Sequence, residues 1–152
     1  EALKIAEQFE GKRLPGFQRA QVAYCKGRAL EGLNRPQGEI LLAYQTAITA
    51  DAGASENIAR EAVLRSLEIL HKDEQVHLAI KTYQESDGEE LIRGFTKVME
   101  AAGLAKMYQL ALGNGQALPG NYTRYLRFTP DRIHGTDEEE EEDKPDAEDD
   151  GQ

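Results

Sequence analysis

The chain has 152 residues, enough for one ordinary domain, and lacks tryptophan. Its formal charge of −10 is unevenly placed: 11 of the 28 acids fall within residues 137–152, beside the single base Lys144, which leaves residues 1–136 neutral. A neutral body offers no net positive field to replace phosphate counterions, which argues against nucleic-acid binding, and no run of 18 apolar residues encodes a membrane-spanning helix.

A lone cysteine, Cys25, excludes an internal disulfide and a cysteine-rich zinc site. It leaves the compartment open. No signal peptide is visible and the first residue is Glu1, so the sequence reads as a piece of something longer.

In chain order, the apolar positions recur at helical spacing. Residues 2–10 form the first predicted helix. "GKRLPG" (11–16) breaks it, because glycine and proline both disfavour a continuing helix. A second helix spans 17–33, with Phe17, Ala20, Ala23, Tyr24, Gly27, Leu30 and Leu33 near one side. "NRPQG" is a turn, and a third helix covers 39–50, turning Ile40, Leu41, Tyr44, Ala47 and Ile48 inward. Ser55 is the expected N-cap of a fourth helix, 56–71, its hydroxyl accepting an orphan amide of the first turn. A fifth helix spans 74–86, with Val76, Leu78, Ala79, Ile80 and Tyr83 apolar. A sixth covers 89–112, opened by Glu89 and Glu90 at the positive end of its dipole and stopped by "GNG".

Strand signals are nearly absent. "YTRYLRF" (122–128) alternates enough to place Tyr122, Arg124, Leu126 and Phe128 on one face of an ordered extension after the "ALPGN" turn. From residue 135 onward the chain holds nothing to bury, and self-repulsion predicts disorder.

A shift of 39 residues superimposes much of this pattern. Ala20 meets Ala59, Ala23 meets Ala62, Gly27 meets Ser66 and Leu30 meets Ile69. In the following helix Ile40 meets Ala79, Leu41 meets Ile80, Tyr44 meets Tyr83 and Gln45 meets Gln84. Small residues fall on small and large on large. Two antiparallel helices cannot bury their apolar face alone, so such units stack. The small positions let helices approach, and the tyrosines fill the space between pairs. Residues 2–9 align with the second helix of the unit, so the array opens with the first helix of its leading repeat missing. Ala101, Ala105 and Tyr108 begin a third copy.

The segments "AYCKGRALEGLNRPQGEILLAYQTAITADA" (23–52) and "AVLRSLEILHKDEQVHLAIKTYQESD" (62–87) resemble the tetratricopeptide repeat family. Gly27 and Ser66 match the family's small first-helix residue. Tyr44 and Tyr83 match its second-helix aromatic, and Ala47 and Ser86 the small residue after it. The period departs from the family's usual length of about 34, Ala52 replaces the closing proline, and the first-helix aromatic is absent at Ala23 and Ala62. The chain is similar to bacterial periplasmic repeat proteins associated with the Tol–Pal system and outer-membrane assembly.

The resemblance implies an all-α array of antiparallel helix pairs over 1–112; the sequence pattern itself adds an ordered extension over 113–134 and a disordered acidic tail over 135–152. It further implies a non-catalytic scaffold for a protein or peptide, with a lean toward an exported bacterial protein. An uncapped array end predicts self-association.

First-helix residues pointing away from the second helices would line the partner surface: Gln21, Tyr24 and Arg28, with Arg60, Val63 and Leu67 from the next unit. Tyrosine and arginine suit recognition surfaces. Val63 and Leu67 equally fit a core.

The remaining chemistry reads as structural. His71, Asp73, Glu74 and His77 crowd "HKDEQVH", but the spacing is not that of a helical histidine pair, and a solvated turn explains them better than a metal site. Cys25 reads as a small buried hydrophobe. "GNGQALPGN" lacks the Gly-Lys-Ser/Thr of a phosphate loop. No catalytic constellation and no cofactor site is expected. Two rival readings stay open: a chaperone-like protein acting through its acidic tail, and a structural piece of a larger enzyme or envelope protein.

Overall fold

Glycine, proline and asparagine cluster at or near most of the breaks between helices. A computed structural model describes residues 1–9, 11–50 and 55–129. Six α-helices result: α1 (Ala2–Glu7), α2 (Gly16–Gly32), α3 (Gln37–Ala50), α4 (Glu56–His71), α5 (Glu74–Glu85) and α6 (Phe95–Met107). A π-turn over Tyr108–Leu112 prolongs α6, and a 3-10 helix follows at Thr123–Phe128. No strand occurs among the described residues. The class is therefore all-α. The acidic segment lies outside the described residues.

The even-numbered helices lean on one another in sequence, α2 on α4 and α4 on α6. Each odd-numbered helix packs on the even one that follows it: α1 on α2, α3 on α4, α5 on α6. The pairs are not equivalent, however. The α2–α3 hairpin is the most extensive helix contact among the described residues, whereas α4 and α5, though consecutive, share little. The 3-10 helix packs on α6 instead.

Alanine makes the close approaches possible. Ala20, Ala59, Ala62, Ala101, Ala102 and Ala105 are fully shielded from solvent. The buried positions of the even helices also keep the spacing of 39. Ala20, Ala59 and Val98 are buried, as are Ala23, Ala62 and Ala101, then Gly27, Ser66 and Ala105. Gly27 faces Tyr44 so closely that a Cβ there would lie 2.6 Å from the tyrosine Cε1. Tyr83, the counterpart of Tyr44, does something different. It stacks on Phe95 with centroids 5.2 Å apart and meets the edge of Phe128.

Three local expectations are corrected. The sixth helix begins at Phe95, not at Glu89, so Glu89 and Glu90 do not open it. The chain first has to turn: Asp87 and Gly88 adopt positive φ, and the Gly88 amide reaches back 2.8 Å to the Tyr83 carbonyl. The restart is then set by Gly94, where a Cβ would fall 2.4 Å from the Gln75 carbonyl oxygen. Ser55 occupies the N-cap position of α4 without capping by its side chain, its buried Oγ having no hydrogen-bond partner. Residues 122–128 are not extended. Tyr122, Tyr125 and Phe128 are buried, and that spacing of three residues is the turn of a 3-10 helix.

Candidate partner-binding surface

On α2, successive residues turn by about 100°, so Gln21, Tyr24, Cys25 and Arg28 share a face opposite to Ala23 and Leu30. Gln21 and Arg28 are exposed and Tyr24 is half-buried. Cys25 is exposed as well, which corrects the expectation of a buried thiol. The Tyr24 ring leans on Tyr44, with centroids 5.8 Å apart.

From there a chain of charges crosses to α4. Arg28 Nε lies 3.9 Å from Glu31 Oε2. The Tyr44 hydroxyl donates to the same oxygen at 2.5 Å. Arg65 of α4 stands 3.6 Å from Glu31 and 3.5 Å from Glu68. Lys72 closes the line on Glu68 at 2.6 Å. Each group adjusts its neighbour. Burial first, and then the Glu31 carboxylate, raise the Tyr44 phenol above its ordinary range. The hydrogen bond with Tyr24 raises Arg28. Lys72 lowers Glu68. Exposed ion pairs are screened by water, so the row sets orientation more than stability.

The six residues expected to bind a partner do not all meet here. Gln21, Tyr24 and Arg28 lie together on α2. Arg60 is half-buried and hydrogen-bonds Asn57 one turn earlier. Val63 and Leu67 are fully buried, which places them in the core and outside the surface. The reason is position. Their counterparts Tyr24 and Arg28 lie on a helix with an open side, whereas α4 is packed by α2, α3 and α6. What α4 shows to solvent is the next register, Glu61, Leu64, Arg65 and Glu68. With Pro119, Asn121 and Tyr122 these line a cavity of about 420 Å³. The signal was present in the sequence as the ladder Glu61, Arg65, Glu68, Lys72, spaced for neighbours on one helix face.

The "HKDEQVH" turn is a packed joint. His71 Nδ1 and the Tyr125 hydroxyl share a hydrogen bond of 2.9 Å. The His71 ring meets Tyr122, Tyr125 and His77 edge-on, at 5.6, 6.0 and 5.4 Å between centroids. His77 donates from Nε2 to the His71 carbonyl at 2.6 Å. Burial, then Arg124 and His77, lower the His71 pKa. Asp73 caps α5 by accepting from the Gln75 amide at 2.8 Å and takes Lys97 Nζ at 2.6 Å. Burial works against its charge, but these donors prevail and its pKa is lowered. Among the described residues, no group of three or more histidine, cysteine or acidic side chains is placed to hold a metal ion. No described helix is long and apolar enough to cross a membrane.

No protein-family model, curated protein or solved structure matches the chain.

Proposed function

We propose that the chain is a non-catalytic scaffold that binds a protein or peptide partner through the surface of α2 and α4, within an array of tetratricopeptide-like helix pairs. The observation that carries the reading is the continuous row from Tyr24 and Arg28 through Glu31 and Arg65 to Glu68, beside the cavity under Leu64 and Tyr122. Half-buried Tyr24 and Arg65, held in place by their neighbours, present large contact area at low ordering cost. Support for the array comes from the spacing of 39 between buried small residues on α2, α4 and α6, and from the side-by-side order of those helices. The slight α4–α5 contact is a departure from a regular array.

A second reading rests on the sequence of residues 137–152, where 11 acids would attract a basic partner. One experiment separates the two. Affinity capture from extracts of the source cells uses the whole chain, the chain without residues 136–152, and the whole chain with Tyr24→Ala and Arg28→Ala. A stoichiometric partner kept by the shortened chain and lost by the double variant supports the helical surface. Loss on shortening, with retention by the double variant, supports the tail.

A further inference from the structure

The opposite side of α2 carries a second feature. Arg19, Val22 and Lys26 recur there at helical spacing, and Glu39, Leu42 and Thr46 recur in the same way along α3. These rows flank the seam of the α2–α3 hairpin, with Ala23, Leu30 and Ala43 as its floor. Ala6 of α1, with Phe9 and Leu14 of the following link, closes one side. The cleft has a volume of about 480 Å³ and its walls are mainly apolar. Leu42 stands 64% exposed at the edge. Each row spans two turns, roughly 11 Å, so the cleft is linear.

Its rim is positive. Lys12 and Arg19 are the cations that make it so. Lys12 lies over the Phe9 ring and Arg19 donates to the Ala50 carbonyl at 3.2 Å, contacts that hold both side chains at the cleft without neutralising them. Glu39, the acid of the lining, is already paired with Arg35 at 3.3 Å. We propose that this cleft docks an amphipathic helix of a partner protein, with its apolar stripe on Val22, Leu42 and Leu14 and acidic residues flanking that stripe toward α2. A groove between two parallel rows of side chains is the shape that a third helix fills. Lys12 and Arg19 supply the complementarity that selects acidic flanks. The surface is distinct from the Tyr24–Glu68 row, and its failure would leave that reading untouched.

The test uses the whole chain, isotopically labelled, and three synthetic helices of about 14 residues, roughly four turns. All carry leucine at i, i+3, i+4 and i+7, and their flanks are glutamate, lysine or glutamine. Binding is followed by amide chemical shifts. The expected result is saturable binding of the glutamate peptide, with shifts centred on Val22, Lys26, Leu42 and Thr46. Affinity should fall at least about tenfold with lysine flanks and by an intermediate factor with glutamine. Leu42→Glu, at an exposed position, should keep the circular dichroism of the native chain and weaken the glutamate peptide about tenfold. Tyr24→Ala should leave it unchanged. Equal affinity for glutamate and lysine flanks would overturn the proposal. So would shifts confined to the Tyr24 face, or occupation of the cleft by dodecanoate in preference to the peptide.

Discussion

Tyr44 fills the space in front of Gly27: a Cβ on that glycine would stand 2.6 and 2.7 Å from two ring carbons. The ring is fully buried and its hydroxyl is tied to Glu31, so it has little freedom to retreat. Alanine is the better helix former by about 1 kcal/mol. Overpacking costs about 1–3 kcal/mol. Gly27→Ala is expected to destabilise the fold by roughly 1 kcal/mol net and Gly27→Val by more. Urea denaturation checks this. Tyr44→Leu should relieve the clash, so the two changes together should cost less than their sum.

The α5 start depends on one carboxylate that serves two purposes. Asp73 caps the helix and holds Lys97, with its side chain 11% exposed. Asp73→Ala is expected to cost about 2 kcal/mol, of which the cap supplies about 1. Asp73→Asn keeps a capping oxygen and should cost less. Denaturation of these variants and of Lys97→Met, combined in a double-mutant cycle, measures the ion-pair share.

His71 gives the fold a dependence on pH near neutrality. Its folded pKa is lowered, by burial first. The unfolded chain, with a histidine pKa of about 6.5, therefore binds more protons in the interval below that value. Stability from this residue is complete above pH of about 6.5 and is lost as pH falls through the folded value. Thermal melts between pH 7.5 and 5 should show a decline that is smaller in His71→Gln. Asp73, also lowered, acts in a different window: its contribution is present above the ordinary carboxylate range and is lost only as pH falls below it.

The aromatic 3-10 helix closes one end of the helix stack. Phe128 is 1% exposed and lies edge-on to both Tyr83 and Phe95. Phe128→Ala is expected to cost about 3–5 kcal/mol. Hydrogen exchange should show the loosening first in residues 122–128 and α6, with α2 and α3 affected least.

Most helix limits were legible because the chain's own breakers set them. The predicted 56–71 helix matches α4, and those predicted at 17–33, 39–50 and 74–86 lie within two residues of α2, α3 and α5 at either end. Where distant contacts decide, local pattern misleads. Glu89–Gly94 has a helical composition, yet α6 starts where Gly94 can pass the Gln75 carbonyl. Tyr122, Tyr125 and Phe128 carry a period of three inside what resembles an alternation. The candidate site divides in the same way. Gln21, Tyr24 and Arg28 were legible on the exposed side of α2. Val63 and Leu67 were not separable from core, because their burial depends on α4 being surrounded.

The most direct test of the partner-binding surface is hydrogen–deuterium exchange of the whole chain, alone and saturated with the captured partner. The account predicts slowed exchange across residues 21–31 and 60–68, at the same sites whose substitution abolishes capture. Protection confined to residues 137–152, with α2 and α4 unchanged, would contradict it.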